Sequence, residues 1–244
     1  MAITRPARPR NDPGQYDDLV DQWWQPHGQL AMLNWIAAAR AALIPPARRP
    51  GAVLVDLACG GGLLARHVTG RGYRHVGIDL TPSALKVARS HDVLPVCADV
   101  RSLPLPDEAA DVVSAGEILE HVRDVAGVVG EACRVLRPGG TLVIDTVART
   151  ALARFLVVTV AERIPGAAPP GIHDPALFVD RRALQAECAR HGVPLQLRGL
   201  RPSVPDAVRW LRRRSDDVAM VPTRTTSVLF QASGVKASGV KESR

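Results

Sequence analysis

Two stretches of this chain carry side chains whose types and spacing suit chemistry. The first is G-E-I-L-E-H at residues 116–121. Glu117, Glu120 and His121 stand at i, i+3 and i+4, a spacing that on a helix places all three on one face. Two carboxylates and an imidazole on one face form a candidate divalent-metal site with coordination positions left open. A plainer reading has Glu120 and His121 only orienting the loop. Without a metal, His121 could act as a general base. The second stretch is V-L-V-D-L-A-C-G-G-G at residues 53–62. An apolar run reads as a strand buried on both faces. The glycines that follow let the backbone turn tightly and approach a ligand with no Cβ in the way. A helix beginning just after them would aim free N–H groups at that ligand.

Strand, glycine turn and helix open a nucleotide-binding α/β domain, and the question is which nucleotide. Gly60-x-Gly62-x-x-Ala65, with Asp79 about twenty residues on, satisfies the dinucleotide fingerprint. Asp56 argues against it, because an acid before the turn repels a pyrophosphate. It suits a ligand carrying an ammonium and a sulfonium. The segment D-L-A-C-G-G-G resembles motif I of the class I S-adenosylmethionine (SAM) methyltransferases, with Ala58 in place of the first glycine. Asp79, ending the second strand, would accept hydrogen bonds from ribose hydroxyls. Asp99, after the third strand, would reach the adenine amino group in a methyltransferase.

These residues need elements to hold them. Strands are expected at about 53–57, 75–79, 94–98, 111–115 and 141–146, with two more at 195–197 and 226–231. Helices are expected at about 61–69, from Thr81 onward with Pro82 in the first turn, and at 122–136, ending at Pro138-Gly139-Gly140. Repeated strand–helix units give a doubly wound, Rossmann-like, mostly parallel sheet of seven strands. Before it, residues 16–43 read as a helical cap interrupted near 26–28, with Trp23 and Trp24 either covering the cofactor or capping the core. Residues 151–164 read as an apolar helix, 165–171 as a loop rich in Pro and Gly, and 175–191 as a further helix. Together 151–171 suggest a mobile cover over the acceptor. The domain organisation expected is a disordered arm (residues 1–13) and cap through residue 45, a catalytic domain at 46–234 and a flexible tail at 235–244.

The 244 residues and 46% hydrophobic content suit one sizeable core. The net charge of +7 is spread over scattered arginines, apart from a cluster at Arg209, Arg212, Arg213 and Arg214. With aromatics at only 4%, nucleic acid is not the expected partner. Cys59, Cys97, Cys133 and Cys188 form no C-x-x-C pair, so reduced thiols in a cytoplasmic protein are expected. No apolar run approaches the length of a membrane span, although the Arg-flanked stretch 151–164 would suit transient contact with anionic lipid.

Over residues 16–231 the chain resembles a narrower family, the ubiquinone-biosynthesis O-methyltransferases (3-demethylubiquinone 3-O-methyltransferases). The residues that carry this are Trp23-Trp24 with Gly28, D-L-A-C-G-G-G, and Gly77-Ile78-Asp79-Leu80. G-E-I-L-E-H-V, L-R-P-G-G and G-I-H-D at 171–174 complete the set. The resemblance implies that Arg40 binds the cofactor's carboxylate and that Ala58, Asp79 and Gly116 line its pocket. It also implies that Glu117, Glu120 and His121 hold Mg²⁺ or another divalent metal acting on a catechol-like acceptor. The expected cofactor contacts are thus Arg40, Asp56, Ala58, Gly60, Gly62, Asp79, Leu80, Asp99, Val100 and Gly116, with Glu117 and His121 catalytic. The family's Asn-Arg-Asn after the fifth strand is here Ala148-Arg149-Thr150, and its usual acid after Trp-Trp is Gln25. The acceptor therefore stays open between a quinone precursor and a natural product. A nicotinamide-dependent oxidoreductase and a catalytically silent, membrane- or partner-binding fold are the alternatives. Oligomeric state is not legible.

Overall fold

The computed structural model of this chain describes residues 8–164 and 167–238. Its strands are β1 (Ala52–Leu57), β2 (Tyr73–Asp79), β3 (Leu94–Cys97), β4 (Ala110–Gly116), β5 (Leu136–Val147), β6 (Gln196–Pro202), β7 (Met220–Thr223) and β8 (Leu229–Val235). They form one sheet in the order β3-β2-β1-β4-β5-β8-β6-β7. The first five pair in parallel, whereas β8 runs antiparallel to β5 and β6, and β7 antiparallel to β6. The chain order reverses between β1 and β4, and the crevice beyond the C-terminal ends of these strands is where such sheets bind ligands.

Alternation along β1 explains the layers, since successive side chains point to opposite faces. Val55 and Leu57 pack with Ile78, Val113 and Ala115 under Val128, Val129 and Ala132 of the helix Val125–Val135. Leu54 faces the other way, onto Leu64, Val68 and Ala41. Every residue of β4 is buried, as expected of a parallel strand covered on both faces. In chain order the helices are α1 (Gly14–Asp18), α2 (Ala31–Ala41), α3 (Ala65–Val68), α4 (Pro82–Arg89), α5 (Val125–Val135), α6 (Ala151–Ala153), α7 (Arg181–Arg190) and α8 (Val204–Leu211). Asp124 caps α5 by accepting the Gly127 N–H at 2.9 Å, and Asp180 caps α7 through the N–H groups of Arg182 and Ala183.

Several expectations change. The sheet has eight strands instead of seven, because β7 adds a short edge strand in which Pro222 is tolerated. α8 carries the start of the arginine cluster, and its Trp210 packs edge-on against Trp35 of the cap. The helix expected at 61–69 shrinks to α3, preceded by tight turns closed by Gly62 N–H to Cys59 O and Ala65 N–H to Gly62 O. The apolar stretch 151–164 is not one helix. It runs through α6, a wide π turn (Arg154–Val160) and a 3-10 turn (Ala161–Arg163), leaving Leu152, Phe155 and Leu156 exposed. Residues 175–191 split into a 3-10 turn (Pro175–Leu177) and α7.

The disordered arm expected through residue 13 includes 1–7, which lie outside the described residues. Arg10 and Asn11, by contrast, are held by Glu162, His173, His121 and Gly171. At the other end β8 runs to Val235, and Lys236 Nζ donates to the carbonyls of Cys133 and Leu136. The tail segment 239–244 lies outside the described residues. Among those described, no helix is long and apolar enough to cross a membrane.

Candidate active site

A cavity of about 390 Å³ opens beyond the C-terminal ends of β1, β2 and β4, roofed by the N-terminal cap. Its first end is the glycine turn. Ala58, Gly60 and Gly62 all adopt left-handed backbone, at φ of 53°, 50° and 78°. Asp79 fixes this turn, one carboxylate oxygen accepting the Gly60 N–H and the other the Thr81 N–H, both at 2.8 Å. Burial raises the Asp79 carboxyl above its ordinary range, and these two N–H groups oppose the shift. Thr81 takes the cap position of α4, but its side chain makes no capping bond. Trp23 lies over the turn so closely that a Cβ on Gly60 would stand 2.2 Å from its ring. Trp24 Nε1 donates to Gly61 O at 2.9 Å.

Left-handed backbone costs an alanine about 1 kcal/mol or more, a cost glycine avoids. Ala58→Gly should therefore stabilise the fold by roughly 0.5–1 kcal/mol in urea unfolding. A loss of stability would show that the Ala58 methyl is needed for packing.

The floor of the cavity is charged. Arg40 from α2 meets Asp145 of β5 through a two-pronged contact, Nε to Oδ2 at 2.6 Å and Nη2 to Oδ1 at 3.1 Å. Its Nη1 lies 3.9 Å from Asp56. The guanidinium sits directly over Gly116, where a Cβ would fall 1.7 Å from Arg40 Cζ. Glu117 is also here, its N–H donating to Asp145 O at 2.9 Å. Burial first, then Glu120 and Asp145, push its carboxyl up. Asp145 and Asp56 flank one guanidinium, with the Glu117 carboxyl beside them, so the floor has acceptor oxygens to spare for a cationic ligand.

At the second end, residues 116–121 depart from the expected helix. Glu117 adopts φ of 52° and only Leu119–His121 form a turn, of the 3-10 type. The i, i+3, i+4 geometry is lost. Glu120 is buried behind the cavity, its Oε2 accepting the Thr146 hydroxyl at 2.8 Å. Among the described residues no three His, Cys, Asp or Glu side chains converge on a point that could hold a metal. The metal set expected from Glu117, Glu120 and His121 does not fit this arrangement.

His121 does line the cavity. Burial first, then the neighbouring His173 imidazole, push its pKa down to about 3, so the ring is neutral. Tyr16 stands between the two ends, stacked on Trp23 at 5.9 Å and edge-on to His121 at 6.3 Å. His173 stacks on His121 at 5.5 Å. Of the expected cover at 151–171, Ala167, Ala168 and Pro169 line this end, joined by Ile172 and His173 just beyond it, whereas no residue of 151–164 lines the cavity. Residues 165 and 166 of the expected loop lie outside the described residues. Glu162 holds the segment by accepting the Gly171 N–H and Arg10.

Of the other expected contacts, Asp56, Ala58, Gly60, Asp79 and Gly116 line the cavity, as do Arg40 and Glu117. Leu80 and Val100 lie at its rim, Leu80 left 57% exposed, an unusual state for a large apolar side chain. Asp99 is at the edge with its carboxylate engaged by Arg101. Two expected residues are elsewhere. Gly62 faces α4, where a Cβ would meet Ala88 Cα at 3.0 Å, and Glu120 is enclosed behind the floor. His173 belongs to the G-I-H-D motif, but nothing in the sequence assigns it to the cavity, and Asn11, Tyr16 and Asp145 lie outside every motif. Of these three, Asp145 carries a signal, as an acid in a mostly apolar strand.

Comparisons with known proteins bear on family and fold. A family described as a methyltransferase domain matches residues 55–144. The ubiquinone biosynthesis O-methyltransferase of Ralstonia nicotianae is 35% identical over 201 residues, covering 78% of this chain and 84% of the relative. That of Thiobacillus denitrificans is 37% identical over 175 residues, covering 68% and 75%. Among solved structures, a SAM-dependent methyltransferase of Thermotoga maritima superposes with a TM-score of 0.63 at 18% identity, over 91% of this chain and 97% of that one. Magnesium protoporphyrin IX methyltransferase of Synechocystis gives 0.61 at 13% identity, over 92% and 96%. The structural likenesses speak to fold alone.

Proposed function

The chain belongs to the ubiquinone biosynthesis O-methyltransferase family, and from that premise we propose that it methylates a hydroxyl of a phenolic or catechol-like small molecule. The observation that carries this reading is one cavity with two unlike ends. The glycine turn with Asp79 lies at one, a neutral imidazole with aromatic neighbours at the other, and an acidic floor runs between.

SAM, when bound, supplies a methyl on a positively charged sulfur. Each residue then has a task. Asp79 keeps lone pairs for ribose hydroxyls after binding the turn. Exposed Leu80, with Val100, offers an apolar surface to a flat base. Arg40 pairs the carboxylate end, and Asp56 with Glu117 favours the cationic portion. Trp23 and Tyr16 exclude water, and the cap holds donor and acceptor together, which supplies much of the rate. His121 accepts the hydrogen bond of the acceptor hydroxyl. That proton becomes strongly acidic only as the C–O bond forms, so a weakly basic imidazole suffices to take it. No step runs through a metal, because the carboxylates and His121 do not converge. Exposed Leu152, Phe155 and Leu156 add transient contact with a membrane surface to the same reading, which flotation with anionic vesicles tests.

Asp79→Ala tests the cofactor end. Losing a buried acceptor of the ribose and of the Gly60 N–H costs about 1–3 kcal/mol, or roughly 5- to 150-fold in SAM affinity by calorimetry. Unchanged affinity would place the ribose elsewhere.

A further inference from the structure

The N-terminal arm reaches across the acceptor end and touches His121 twice. Asn11 Nδ2 donates to the His121 carbonyl at 3.0 Å, and Asn11 Oδ1 lies 2.5 Å from His121 Nδ1. The first contact settles the second. A carbonyl only accepts, so the amide atom on it must be the NH₂, and the atom on the ring must be the oxygen. An amide oxygen only accepts in turn, so His121 Nδ1 must carry the proton. Nε2 is then left with its lone pair and has no hydrogen-bond partner among the described residues. It is the nitrogen that remains for the cavity that His121 lines.

The arm is fastened for this task. Asn11 N–H donates to Gly171 O at 3.1 Å, and Arg10 Nη1 donates to His173 O at 2.8 Å and to both Glu162 oxygens at 3.1 Å. Asn11 itself adopts φ of 59°, a region asparagine tolerates better than other side chains. The pattern is that of an orienting group behind a catalytic imidazole, which fixes tautomer and ring direction. Here the orienting group is a neutral amide supplied by the arm.

We infer that Asn11 is a positioning residue that holds His121 in the Nδ1–H tautomer and presents Nε2 to the acceptor hydroxyl. The tautomer stands on this geometry; its use in catalysis rests on the phenolic reading above.

The test is nitrogen NMR on full-length protein labelled at its seven histidines, with His121→Gln assigning the signal. Wild type should show a protonated Nδ1 and an unprotonated Nε2 at His121. Asn11→Gly keeps the left-handed backbone and removes both contacts, so the Nδ1–H signal should give way to a mixture of tautomers. Asn11→Asp keeps an accepting oxygen and should retain the signal. In methyl transfer to catechol, Asn11→Gly should lower kcat roughly 10- to 100-fold while SAM affinity changes less than about twofold, and Asn11→Asp should recover part of the loss. An Nε2–H signal in wild type, or an Nδ1–H signal that survives Asn11→Gly, overturns the inference. So does full kcat in Asn11→Gly. Failure of wild type to methylate any phenol contradicts the phenolic reading instead, because the tautomer signals are read without substrate.

Discussion

Asp145→Ala should destabilise this protein by about 3–5 kcal/mol and abolish measurable SAM binding. The variant leaves the Arg40 guanidinium, only 7% exposed, with its two-pronged partner gone and Asp56 no nearer than 3.9 Å. A buried charge without a partner costs far more than the pair contributes, because desolvation is no longer offset. At this chain length the loss is roughly 6–20 °C in Tm. One further variant, a double substitution, separates stability from binding. Arg40→Met with Asp145→Leu removes both members of the pair and should recover part of the stability, the remainder being lost because buried Asp56 no longer faces a guanidinium. It should still bind SAM at least tenfold more weakly, because Arg40 is gone from the cavity wall. An Asp145→Ala protein within about 0.5 kcal/mol of wild type in urea unfolding would mean the pair is not what holds Arg40.

The second large effect is expected at the glycine turn. Gly60→Val places a branched side chain at φ of 50° with its Cβ 2.2 Å from the Trp23 ring. Strain of about 1–2 kcal/mol adds to a clash of roughly 1–3 kcal/mol. Trp23 must move off the turn, and the Gly60 N–H is pulled from Asp79. SAM affinity should fall by roughly 100-fold or more, the 2.7 kcal/mol or so of a lost buried contact and a displaced cap. Gly70→Ala is the control. It too has a left-handed backbone, at φ of 81°, but a Cβ there meets nothing within 4 Å. It should cost about 1 kcal/mol of stability and leave SAM binding intact. Equal losses of binding in both variants would show that the effect is general destabilisation.

What could be read from the sequence was local. The strand, the glycines and Asp79 announce themselves within thirty residues, because a turn that tight tolerates few residue types. Asp56 selected among nucleotides by charge alone. The family resemblance reached further, carrying Arg40 and Gly116 to the cavity wall. Reading failed where contacts span the chain. Asn11 meets His121 across 110 positions and Arg40 meets Asp145 across 105, and no pattern near either residue announces its partner. The spacing of Glu117, Glu120 and His121 misled for another reason. Spacing implies a shared face only on a helix, and the left-handed Glu117 with its bond to Asp145 O breaks the helix at its first residue. β7 escaped notice because four residues with a proline carry almost no strand signal, and only the neighbouring β6 gives them a partner.

Whether the cavity methylates a phenolic hydroxyl without a metal is decided by following a labelled methyl group from SAM to a panel of catechols and phenols, with a strong chelator present throughout. The expected product is an aryl methyl ether formed in equal amount with S-adenosylhomocysteine, at a rate the chelator leaves within about twofold, and lost in His121→Ala even where SAM still binds. SAM bound tightly with no methyl ether formed across the panel would contradict phenolic O-methylation.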